Sequence, residues 1–271
     1  MEQDTKLLGS FLKERRARLD PADFGLPLSR RRTPGLRREE VAQLAHVSAT
    51  WYTWLEQGRG GAPSADVLDR LARAFALTET EREHMFLLAQ ERPPKVRPAV
   101  GAGVTPQLQR VLDAFANTPA IVKTPDWSIV AWNRAATVVL ADYAAMPEGE
   151  RNLLRMLFGK GGGAHLPDRE DVARLVVGTV RRDVMRAGMQ AQTQALVEDL
   201  MRDSAEFRQM WSEQDVLSHG EGAKRVRHPV AGLLQLEYST FAVDGRPDLA
   251  LVIFNPATEE DRSKVSKLVS G

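Results

Sequence analysis

Apolar positions in the N-terminal third of the chain recur at helical rather than strand spacing. Leu7, Leu8, Phe11, Leu12 and Leu19 predict a first helix over residues 5–18, with a basic opposite face. The segment DPADFGLPLSRRRTPG (20–35), rich in Pro, Gly and Arg, cannot continue it. Val41 and Leu44 mark the buried side of a short helix over 37–44, and Ala42 is small where a second helix must cross. Val47 then falls in a turn, Ser48 suits the N-cap of a second helix, and Gly58 suits its C-terminal end. Val67, Leu68, Leu71, Ala72 and Phe75 predict another helix capped by Ser64. Thr78 followed by Glu81 is a capping-box pattern opening one more, through Met85, Leu87 and Leu88.

The pattern changes at ERPPKVRPAVGAG (91–103), where three prolines and no apolar period predict a stiffened linker. Beyond it the periods mix. PAIVKTPDWSIVAWN reads as a hairpin turning at 124–126, and helical stretches cover 168–187 and 191–203. The segment from Ala223 to Pro256 reads as three antiparallel strands turning at 229–232 and 244–245, before a last helix over 259–268. Strands at both ends with helices between them predict an α+β domain. The expected division is 1–95, a linker at 96–103, and 104–271.

Composition narrows the chemistry. The 271 residues contain no cysteine, which excludes disulfides and iron–sulfur clusters and fits a cytoplasmic protein. No apolar run has the length of a membrane span. The net charge of +1 hides an uneven distribution: residues 11–60 hold ten basic side chains against six acidic ones, a modest excess that permits a polyanionic partner. Enzyme signatures are missing. GKGGG at 159–163 has neither the spaced first glycine nor the following Ser or Thr of a phosphate-binding loop. His165, His219 and His228 have no metal-ligand spacing, and no nucleophile elbow or HExxH is present. No catalytic residue, metal or cofactor is expected.

The two short helices around REEVAQLAHVSATWYTWLEQG (38–58) form a helix-turn-helix pattern. They resemble the XRE class of DNA-binding regulators. His46 stands where that class usually has glycine at positive φ, a region histidine tolerates better than most residues. The resemblance assigns Val47, Tyr52 and Leu55 to the core. It turns Ala49, Thr50, Thr53 and Trp54 toward the major groove, with Ser48 and Gln57 near phosphates. Arg38 opens the preceding helix, where class members contact the backbone, and Arg59 follows the motif. Trp51 remains unassigned between core and surface. Arg30, Arg31 and Arg32 suit either a phosphate strand or a minor groove, or are simply a solvated basic run.

The resemblance extends over nearly the whole chain. RRRTPGLRREEVAQLA, PSADVLDRLARAFALTETEREHMFLLA, SAEFRQMWSEQDV and GAKRVRHPVAGLLQLEYSTFAV are similar to the MmyB-like group of bacterial XRE regulators. That similarity implies an all-α N-terminal domain followed by an α+β, PAS-like ligand-binding domain, an antiparallel sheet covered by helices. IVAWNRAATVVLADY independently resembles the opening of a PAS fold. Two positions depart from the group: Trp54, where many members have arginine, and Gln214, where many have histidine. Candidates to line a pocket are Trp132, Tyr143, Met185, Met189, Phe207, Trp211, Leu236 and Tyr238, although a packed core is the commoner role for any one of them. On the strand from Lys224 to His228, Arg225 and Arg227 share one face and Val226 and His228 the other. The expected protein is a homodimeric regulator that binds a palindromic operator and a small apolar or fatty-acid-like ligand. The alternative is a C-terminal domain that only dimerises or contacts another protein.

Overall fold

A computed structural model describes residues 2–27, 35–94, 103–159, 162–187, 191–216 and 220–271. Contacts divide the chain into two units, Met1–Pro94 and Lys95–Gly271. The predicted linker falls outside the described residues except at Gly103, as do Arg30, Arg31 and Arg32.

The first unit is helical: α1 (Glu2–Arg18), α2 (Arg38–Leu44), α3 (Ala49–Glu56), α4 (Ala65–Ala74) and α5 (Glu79–Gln90). The caps fall where the sequence places them. Ser48 accepts from the Trp51 N–H, Ser64 from the Val67 N–H, and Thr78 and Glu81 close a reciprocal capping box. Leu8, Leu12, Val41, Tyr52, Leu55, Leu68, Leu71 and Met85 form one core. Three expected apolar positions are exposed instead, Leu7, Leu44 and Leu87. The close crossing involves Gly9 as well as Ala42: a Cβ on Gly9 would lie 2.4 Å from the Glu56 carbonyl oxygen, so only glycine lets α1 approach the end of α3.

The second unit carries a five-stranded antiparallel sheet. Its strands are β1 (Ala120–Lys123), β2 (Ile129–Trp132), β3 (Glu221–His228), β4 (Gly232–Val243) and β5 (Arg246–Pro256), in the order β2-β1-β5-β4-β3. Alternation along the strands builds two cores. Ile121, Val226, Leu234, Leu236, Val252 and Phe254 point to the larger one. The helices on that side are α7 (Arg134–Val139), α8 (Leu153–Phe158), α9 (Arg169–Ala187), α10 (Ala191–Asp203), α11 (Ala205–Ser212) and α12 (Glu259–Ser270). Ala120, Val122, Ala131 and Ile253 point the other way, where α6 (Pro106–Ala114) buries Leu112.

Asn133 joins these layers. Its buried Oδ1 accepts from Ala120 N at 3.1 Å and Ala136 N at 2.9 Å. Its Nδ2 donates to the carbonyls of Leu112, Phe115 and Thr118. One amide thus caps α7, starts β1 and ends α6, which explains an asparagine directly after β2.

Candidate DNA-binding surface and ligand cavity

α3 separates its faces cleanly. Tyr52 and Leu55 are buried, while Ser48, Thr50, Gln57 and Arg59 are exposed and Trp54 is 51% exposed. Ala49 and Thr53 are half-buried, and Thr53 Oγ1 donates to the Ala49 carbonyl at 2.8 Å, leaving its lone pairs for an incoming donor. Trp51 is half-buried against the core, so the three aromatics do different work. His46 has φ of 52°, the backbone the turn requires.

The end of α3 is held by a buried carboxylate that the sequence reading did not single out. Glu56 accepts from Arg16 Nε at 2.6 Å, Arg38 Nε at 2.7 Å and Tyr52 Oη at 2.8 Å. Burial pushes the Glu56 carboxyl upward, but the bonds from Arg16, Arg38 and Tyr52 outweigh it and the net shift is downward. Burial and the Glu56 charge hold the Tyr52 phenol well above its ordinary range. Arg38 is fixed through Nε alone, and its side chain stays 39% exposed with both Nη groups unbonded among the described residues. A guanidinium held this way at the start of α2 can donate to a phosphate without losing its orientation.

The second unit contains an apolar cavity between the sheet and α9. Ile121, Trp127, Ile129, Val252 and Phe254 form one wall, and Leu153, Val172, Leu175 and Val176 the other. Trp127 adopts φ of 64° at the end of the β1–β2 turn, a left-handed conformation that costs about 1–2 kcal/mol for a residue with a side chain. Two lysines complete the lining. Lys123 Nζ lies 3.4 Å from Asp183 Oδ2 and 4.0 Å over the Trp127 ring. Lys224 lies 5.3 Å over the Phe254 ring. Burial pushes both ammoniums down, each to about 8, and for Lys123 the Asp183 charge opposes the shift.

Of the expected pocket residues, Tyr238 lines this cavity. Trp132, Tyr143, Phe207, Trp211 and Leu236 belong instead to the larger core. Trp132 and Tyr143 meet at 5.4 Å, Phe207 stacks on Trp211 at 5.4 Å, and Leu236 is fully buried. Met185 is 70% exposed on α9, and Met189 lies outside the described residues. Large aromatic residues were expected to mark the pocket, yet most of them pack in the core away from it, as Phe207 of α11 does against Phe158 of α8. Every other lining residue was missed, among them the hairpin's Trp127, the two lysines and the aliphatic residues of β1, β2, β5 and α9. Strand alternation places Lys224 on the inward face with Val226, and that was the available signal.

No helix among the described residues is long and apolar enough to cross a membrane. Residues 7–85 match a helix-turn-helix domain family. Residues 104–268 match the family described as MmyB-like transcription regulator ligand binding domain. A search of curated proteins gives no match. A DNA-binding helix pair and a ligand-binding domain in one chain make a ligand-responsive transcription regulator, and the chain belongs to the MmyB-like family.

Proposed function

We propose that residues 1–95 bind a palindromic operator as part of a cytoplasmic homodimer, and that residues 104–271 modulate this binding in response to a small apolar or fatty-acid-like molecule. The observation that carries the DNA half is the split of α3 into a buried Tyr52–Leu55 side and an exposed side bearing Thr50, Trp54 and Gln57. In this reading Thr50 and Thr53 bond base edges or touch thymine methyls, and Trp54 supplies apolar area and one N–H donor. Ser48, Gln57, Arg59 and Arg38 hold phosphates. One short helix reads too few bases for useful discrimination, so two copies on two half-sites are required. The cavity between the sheet and α9 supports the ligand half.

Two measurements test this. Operator affinity must fall steeply with salt, because phosphate neutralisation releases counterions. A flat salt response would favour a helix pair that contacts protein. Native against denaturing mass spectrometry of the purified protein tests the cavity. A constant extra mass lost on denaturation would give the ligand's size class.

A further inference from the structure

The outer side of β4 carries a pattern that neither core uses. Its inward residues Leu234, Leu236 and Tyr238 are buried, so Leu233, Gln235, Glu237, Ser239 and Phe241 face away from the larger core. On that side α6 covers Ala120, Val122, Ala131 and Ile253 of β1, β2 and β5. The outer faces of β3 and β4 stay open among the described residues: Leu233 is 41% and Phe241 50% exposed. Phe241 stands opposite Leu251 on β5, at the margin of the core under α6, so it extends an apolar surface rather than interrupting a polar one. Read along β4, the outer face runs apolar, polar, polar, polar, apolar, and is symmetric about Glu237. Beside it β3 is polarised, with exposed Glu221 at one end and exposed Arg225 and Arg227 at the other. Arg225 also bonds Asp168, which fixes the basic end in place.

We infer that this face docks a second copy of the chain, β4 against β4, about a two-fold axis that passes beside Glu237. This rests on the homodimer proposed above and names its surface. A half-turn about an axis lying across the strands reverses their direction, so Leu233 of one protomer meets Phe241 of its partner, and Gln235 meets Ser239. The same half-turn lays the basic end of β3 over the acidic end of the partner's β3, bringing Arg225 and Arg227 toward Glu221. Docking of an unrelated protein would require no such self-complementarity. One mismatch remains. The two Glu237 carboxylates come together beside the axis, and like charges facing one another weaken the contact.

The chain has no cysteine, so single cysteines report proximity without background. With a short bis-maleimide, Glu237→Cys should link two full chains about tenfold or more faster than Ser239→Cys or Met185→Cys. A residue two positions from the axis lies about 7 Å along the strand, which sets its two copies about 14 Å apart. Gln235→Cys and Ser239→Cys chains, mixed, should link to one another faster than either links to itself. In sedimentation, Phe241→Asp should weaken self-association about tenfold or more, and Glu237→Gln should strengthen it about twofold to fivefold. Linking through Glu237→Cys no faster than through Met185→Cys, or a dimer indifferent to both Phe241→Asp and Leu233→Asp, would overturn the face and leave the homodimer standing on another surface. A chain that stays single in solution would refute the face as well; the homodimer itself falls only if sedimentation with operator also finds one chain. The cross-linking series decides even where a charged variant does not fold.

Discussion

If the proposed docking holds, Trp54 and Arg38, on the same small domain, affect DNA binding in different ways. Trp54 is more than half exposed on α3, so Trp54→Ala removes groove contacts and should change which operator is preferred. Arg38 offers its Nη groups to the backbone, so Arg38→Ala should weaken binding to every sequence alike and lower the salt slope by about one. Selection from a randomised operator pool, with affinities at several salt concentrations, separates the two. Loss of affinity in both variants without any change of preference would refute the face assignment. Lys224 offers a prediction of another kind. Its folded pKa of about 8 lies below the unfolded value of about 10.4. Between those values the unfolded chain holds a proton that the folded chain has lost, so Lys224 makes stability rise with pH across that window. Lys224→Met should therefore melt a few degrees higher than the unaltered chain at pH 7. The advantage should shrink as pH rises from 8 toward 10.5, because Lys123 contributes equally to both proteins and cancels. An advantage constant with pH would place the effect in packing rather than charge.

At the scale of elements, the Glu56 cluster ties α3 to α1 through Arg16 and to α2 through Arg38. Glu56→Ala leaves the buried Arg16 guanidinium without its carboxylate partner, with only the Leu36 carbonyl still bonded, and should cost about 3–5 kcal/mol. Hydrogen exchange would read this as lost protection in α1 and α3 with the sheet of the second unit unchanged. Protection retained in α1 would show that packing around Leu8 and Leu12 suffices alone. The helices and strands themselves were legible from local signals: caps at Ser48, Ser64 and Thr78, the period-two alternation of β3 to β5, and turns at 229–232 and 244–245. What joins them was not. Gly9 and Glu56 are distant in sequence and meet only because α1 crosses α3, and neither residue type announces such a partner. The cavity was legible in the same partial way. Its existence was implied by the family resemblance, but its wall depends on which aromatic residues the helices use to pack against each other. Phe207 packs against Phe158 of α8 and Trp211 against Arg181 of α9, whereas Trp127 reaches the cavity through a left-handed turn conformation that no periodicity predicts.

At the scale of the whole molecule, each unit supplies one site of the proposed regulator, and control requires that the two sites share an equilibrium. A ligand in the cavity can change operator affinity only by the ratio of its affinities for the two states it distinguishes. Linkage makes that factor reciprocal: if ligand shifts operator binding by a factor, operator shifts ligand binding by the same factor, usually about 5–150. The prediction is therefore a pair of equal numbers. Anisotropy of labelled operator with and without saturating ligand gives one, and calorimetry of ligand with and without operator gives the other. Sedimentation alongside should show two chains on each operator. Equal factors above one would establish the sensor as the control element, with the sign of the shift telling inducer from co-repressor. Factors that disagree would mean that ligand acts first on the association of chains, since protomer concentration then differs between the two measurements. Both factors equal to one, with ligand bound, would separate the cavity from DNA control and leave the second unit as a module for dimerisation or protein contact.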